Sequence, residues 1–203
     1  NRAVLHLLTG NLKDGWRDYA ARLDMPGKVP SIAKGEQRLA AWSGGPLKKT
    51  RLLIRAEQGV GDQIMFASLF GEMAQRAEAE AGSLILECEP RLVPLFARSF
   101  PTVTVKPAEI KTIAGTPTAD YGWLKSIGGA NGAIAMGSLP RYLRKEVGAF
   151  PTDHPYLTPD IGEQVRWNGW IAGLGPSPAI GLCWRSGKAG GHRAVQFAPL
   201  SAW

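Results

Sequence analysis

The residues best suited to chemistry are gathered in RLLIRAEQGVGDQIMFASLF, residues 51–70. A short apolar run, Leu52 to Ile54, is followed by Gly59-Val60-Gly61-Asp62. From there the apolar residues Ile64, Met65, Phe66, Leu69, Phe70 and Met73 fall at helical spacing. This pattern predicts a buried strand, a tight glycine turn and a helix start. A helix start offers unpaired backbone N–H groups and the positive end of a dipole, so it suits an anion or an active-site carboxylate. Asp62 fits that description, and it fits equally well as a residue that only caps the helix. Gln58, Gly59, Gly61 and Gln63 complete the corner. The corner is no dinucleotide fingerprint, because Ile64 stands where the third glycine belongs, and no Gly-Lys-Ser/Thr follows to make a P-loop.

A second corner of this kind is expected near the end of the chain. AIGLCW (179–184) reads as a buried strand, and RSGKAGGHR (185–193) follows it with Arg185, Lys188, Arg193 and His192. Elsewhere, Glu87 and Glu89 alternate onto one face of SLILECE (83–89), where an exposed strand end is the expectation. His6, His154 and His192 are isolated, and no His/Cys/Asp cluster has metal-ligand spacing.

These corners need a scaffold to hold them. The order strand (52–54), helix to about Ala81, strand (83–89), helix from Pro90 and strand (103–105) predicts an α/β fold. Its sheet is expected to be mostly parallel, with helices on both faces. Residues 107–136 are irregular by pattern, with Asp120–Leu124 a candidate strand and Ser138 a candidate N-cap. A helix is expected over roughly 161–173. Before the sheet, residues 1–24 form two short amphipathic helices parted near Gly10-Asn11, and 25–50 read as a linker that Trp42 anchors. Residues 51–175 are assigned to the Rossmann-like domain and 176–203 to the start of a further, incomplete one.

The 203 residues include 24 Lys+Arg against 17 Asp+Glu, a net charge of +7, with 44% hydrophobic and 20% charged residues. Such an excess of positive charge favours anionic partners. No nucleic-acid signature accompanies it, so a phosphorylated small molecule is preferred to DNA or RNA. The groups Lys48-Lys49-Arg51 and Arg141-Arg144-Lys145 are read as solvated surface. No apolar stretch approaches the ~20 residues that span a bilayer. Cys88 and Cys183 read as buried reduced thiols, which fits a cytoplasmic chain. The helical patterns at Asn1 and Trp203 lead to the expectation of a longer polypeptide on both sides.

Taken in order, these motifs resemble bacterial tetratricopeptide-repeat proteins whose C-terminal region is similar to O-linked GlcNAc transferases and heptosyltransferases. The resembling residues are Gly10-Asn11-Leu12, Gly15-Trp16, Tyr19 and Arg22, then Trp42-Ser43-Gly44 and Leu47. Ala56 to Ala67 follows and is the most specific block. Gly137-Ser138-Leu139-Pro140, Pro155-Tyr156-Leu157, Gly181 to Gly187 and Pro199-Leu200 complete the series. The resemblance implies the amino-terminal, acceptor-side half of a GT-B glycosyltransferase, preceded by the end of a repeat array. Such an enzyme moves a sugar from a nucleotide-sugar donor to an acceptor hydroxyl, on a protein or a glycan, without a resident cofactor or metal. Heptosyltransferases carry an aspartate in the matching motif, which makes Asp62 the candidate base. O-linked GlcNAc transferases do not, so the helix cap stays open as its role. Arg185, Ser186, Gly187, Lys188 and Arg193 become candidates for neutralising the donor diphosphate. Little or no activity is expected of residues 1–203 alone. A non-catalytic interaction module with a Rossmann-like fold is the alternative, and a phosphate-binding regulator using the Gly59–Asp62 corner is a third reading.

Overall fold

A computed structural model describes residues 2–25, 31–32, 39–151, 155–175, 178–183, 197–198 and 201. The chain divides into two compact units, residues 1–159 and 160–203.

In the first unit the expected α/β architecture is present. Strands β2 (Ala40–Ala41), β3 (Arg51–Arg55), β4 (Ser83–Cys88), β5 (Thr104–Pro107) and β8 (Gly132–Ala135) form one sheet in the order β2-β8-β3-β4-β5. Every neighbouring pair in it is parallel, which makes the sheet Rossmann-like. β3 and β4 are continuous apolar runs because both their faces are covered. A smaller sheet, β1 (Ser31–Ile32), β7 (Thr116–Ala119) and β6 (Ile110–Ile113), stands apart in the order β1-β7-β6.

One face of the main sheet holds the larger core. Helices α3 (Val60–Ala67), α4 (Phe70–Ala79) and α5 (Val93–Ser99) place Phe66, Phe70, Met73 and Phe96 against Leu52, Ile54, Leu84 and Leu86. The rings of Phe70 and Phe96 meet edge to face at 5.8 Å, and those of Phe70 and Phe100 at 5.6 Å. Each such buried side chain contributes roughly 1.5–3 kcal/mol. The opposite face is thinner: Leu53 and Ile85 meet Ala119, Tyr121, Leu124 and Ala130 there.

Several sequence expectations are corrected. The helix expected to run to Ala81 is two helices, α3 and α4. At the break the Ser68 hydroxyl and the Ser68 and Leu69 N–H groups all bond carbonyls three residues back, which tightens the turn and stops α3. Asp120–Leu124 is not a strand; residues 122–127 form a 3-10 helix ended by Gly128 in the left-handed region. The 107–136 stretch instead supplies β6, β7 and β8. Asn131 fixes the start of β8, accepting from the Arg51 N–H and donating to the Lys49 carbonyl. The expected linker contributes β2, which pairs with β8 at the sheet edge. Trp42 does anchor that linker: its ring meets Tyr142 at 5.2 Å and its indole N–H donates to the Gly45 carbonyl. The basic groups are not all surface. Arg144 is buried on Glu72, and Arg51 binds the carbonyls of Ile127 and Gly129.

Before the sheet stand α1 (Arg2–Leu8) and α2 (Leu12–Tyr19), parted at Gly10-Asn11, and a 3-10 turn over Ala20–Asp24. Asn11 caps α2 with its side chain. After β8 comes α6 (Pro140–Leu143), with Leu139 rather than Ser138 at its N-cap position and no side-chain cap. In the second unit, α7 (Ile161–Ala172) is capped by Asp160, matching the expected helix. Its Trp167 and Trp170 are exposed, and so is Cys183, against the expectation of a buried thiol. The expected strand at 179–184 is not formed in its described part, 179–183, which has no ladder partner among the described residues. Among the described residues, no helix is long and apolar enough to cross a membrane.

Candidate functional site

The chain lays β3 down at the centre, moves outward through β4 to β5, and returns to the other side of β3 as β8. In a parallel sheet such a reversal opens a crevice at the carboxyl ends of the two strands, where ligands bind. The loops that leave β3 (56–59) and β8 (136–138) meet at this reversal, so the glycine corner lies where the topology places a site.

Glu57 is the centre of that meeting. Its carboxylate is buried and takes two bonds from one guanidinium: Arg22 Nε at 2.8 Å and Arg22 NH2 at 2.6 Å. It also accepts the Gly137 N–H at 2.7 Å. The same Arg22 donates to Ser138 Oγ at 2.8 Å and to the Tyr19 carbonyl at 3.0 Å, and its cation lies 4.4 Å from the Tyr19 ring centre. One ion pair thus ties the helix pair, the β3 loop and the β8 loop together. Gly137 has to be glycine, because an added Cβ would stand 2.7 Å from Glu57 Oε1 and 3.1 Å from both Arg22 and Phe66. Glu57 lies in the most specific sequence block, Ala56 to Ala67, but its residue type and spacing assign it no role there.

The corner itself is held by its polar side chains. Gln58 adopts the left-handed backbone region (φ 61), which is costly for a non-glycine residue, and its amide donates to the Tyr19 hydroxyl at 2.7 Å. Asp62 Oδ2 accepts the Gly59 N–H at 3.1 Å, half of a capping box whose other half glycine has no side chain to make. Its Oδ1 has no partner among the described residues, so a cap and a free oxygen coexist in one carboxylate. Gln63 is buried and accepts the Glu89 N–H at 2.8 Å, so it fastens the end of β4 and does not face solvent. Gly59 is the N-cap residue, and Gly61 lies exposed in the first turn of α3.

Beside the corner, on the thinner face, Glu87 corrects the expectation of an exposed strand end. It is buried, and it accepts the Ala56 N–H at 2.9 Å and the Tyr121 hydroxyl at 3.3 Å. Arg55 donates to that same hydroxyl at 3.0 Å. Burial pushes the Glu87 carboxyl up to about 7, against the pull of the Ala56 N–H, Arg55 and Tyr121. Burial, with Glu87 alongside, also raises the Tyr121 phenol and holds the Cys88 thiol up at about 12. Glu89 is half-buried and paired with Arg91 at 2.6 Å. The missed signal was position: both acids follow the apolar run Leu84–Leu86, and the chain covers that end with residues 119–124.

A cleft of about 350 Å³ opens between the helix pair and the β2–β8 side of the sheet, bordered by Glu57 and Ser138. The remaining candidates, Arg185, Ser186, Gly187, Lys188 and Arg193, lie outside the described residues, as do His154 and His192. His6 lies 3.2 Å from the Asn11 amide and 3.8 Å from Asp18, in helix packing. Among the described residues no three His, Cys, Asp or Glu side chains gather as a metal site.

Sheet and corner together define the first unit as a Rossmann-like α/β domain whose glycine corner stands at the carboxyl end of its central strand. The chain is similar to Protein FlbA of Caulobacter vibrioides, at 33% identity across the whole of this chain. It spans about a third of that relative's length. No family model and no solved structure matches it.

Proposed function

We propose that this chain forms the acceptor-side domain of a GT-B-type glycosyltransferase. The observation that carries the reading is the position of Asp62: its corner leaves the central parallel strand at the topological reversal, and one carboxylate oxygen is uncommitted. In the proposed reaction the acceptor hydroxyl gives its proton to Asp62 and its oxygen bonds the anomeric carbon of the donor sugar. The bond from that carbon to phosphate breaks, and the nucleoside diphosphate leaves with the electron pair. Arg185, Lys188 and Arg193, with Ser186 and the Gly187 N–H, are assigned to the charge that develops on the diphosphate. Gln58 and Gln63 act as positioning residues, since their side chains are spent on Tyr19 and Glu89.

The test is release of nucleoside diphosphate from a panel of nucleotide-sugars by the complete polypeptide, wild type against Asp62→Asn. The asparagine still accepts the Gly59 N–H, so the cap survives while the base is lost. A fall of about 10²–10⁴-fold in the rate is expected. Equal rates would reduce Asp62 to a cap, and no release with any donor would favour an interaction module. The latter reading is supported by one observation, the exposed apolar stripe Val4, Leu5 and Leu8 on α1.

A further inference from the structure

We propose that the cleft between the helix pair and the β2–β8 edge is a binding site for a small organic anion built on an aromatic ring. Its volume of about 350 Å³ and its place at a topological reversal match the sites that hold small ligands. Trp16, Trp42 and Tyr142 line it, together with Leu23, Leu39 and Ile134, so it offers a mostly apolar wall with several ring faces.

The polar groups of the lining select the charge of the occupant. Glu57 is the one carboxylate among the lining residues, and the Arg22 guanidinium and the Gly137 N–H already occupy it. What remains is rich in donors. Ser138 Oγ accepts from Arg22, which leaves its own proton to donate. Arg141 lines the cleft with its cation 5.9 Å from the Tyr142 ring centre, and it forms no ion pair among the described residues. Apolar walls, a hydroxyl with its proton to donate and an unpaired guanidinium together favour a ring that carries a phosphate or a carboxylate. The site does not depend on the transferase reading, because occupancy requires neither Asp62 nor a nucleotide-sugar.

Saturation-transfer NMR on the chain tests this with four probes: phenyl phosphate, benzoate, inorganic phosphate and benzyl alcohol. Binding of phenyl phosphate or benzoate is expected, the stronger of the two naming the head group. Inorganic phosphate, followed by competition, and benzyl alcohol are each expected to bind at least tenfold more weakly, because each lacks half of the recognised structure. Arg141→Gln, at an exposed position that the fold does not use, should weaken the ring anion about tenfold or more. Failure of both ring anions to bind would overturn the proposal. So would affinity unchanged in Arg141→Gln, or inorganic phosphate binding as tightly as phenyl phosphate.

Discussion

Glu57 and Glu87 stand at the carboxyl ends of neighbouring parallel strands, both buried, yet the protein treats them in opposite ways. Glu57 is met by a guanidinium that binds both its oxygens and by a backbone N–H, so its burial is compensated in charge and in hydrogen bonds. Glu87 receives one backbone N–H and a long bond from a phenol, while Arg55 spends its Nε donor on that phenol. The cation bound directly to Glu57 makes that acid a structural joint between three segments. The acid lacking a direct one becomes a group that titrates near neutrality. Burial alone therefore says little about a carboxylate; what decides its behaviour is the partner that arrives with it.

Removing one side of the joint should give the largest effect. Arg22→Met strands the Glu57 charge in the interior and is expected to cost about 3–5 kcal/mol in urea unfolding. Arg22→Met with Glu57→Gln should recover a large part of that loss. A double variant no better than the single one would mean that the joint is held by packing and not by charge.

Glu87→Gln should work in the other direction. Glu87 binds its proton more tightly in the fold than in the unfolded chain. Its contribution is therefore fully present below the unfolded carboxyl range near 4.5 and is lost as pH rises toward about 7. The amide keeps an acceptor for the Ala56 N–H without the charge. At pH 8 the variant is expected to be more stable than wild type by on the order of 2 kcal/mol, and at pH 4 the two should nearly coincide. Thermal melts across that range check this, and a constant difference at every pH would break the contrast between the two acids.

The smallest effect is expected from Tyr121→Phe. It removes the hydroxyl shared by Glu87 and Arg55 and should cost about 1 kcal/mol. With Glu87 already replaced by Gln, the same change should cost measurably less, because the two groups are partners.

The glycine corner was legible because its signal is local. A buried run, two glycines and a helical pattern lie within twenty consecutive residues, and each constrains its immediate neighbours. The order of β3, α3, β4, α5 and β5 was legible for the same reason. The return strand β8 was not: GAIA has no alternation and follows two glycines, so nothing local separates it from a loop. It becomes a strand because Asn131 and the exposed edge of β3 supply its bonds. Ser138 failed as a cap for a related reason, since its hydroxyl is taken by Arg22, 116 residues earlier in the chain.

The sequence by itself determined the class of fold, the helix pair ahead of the sheet and the strand–glycine–helix corner, through periodicities that act over a few residues. The tertiary structure alone decided which acids are buried and what meets them. Arg22 is 35 residues from Glu57, and Glu57 is 80 from Gly137. Contacts at those separations leave no periodic trace, because they are made by the path the chain takes between elements and not by the residues beside them.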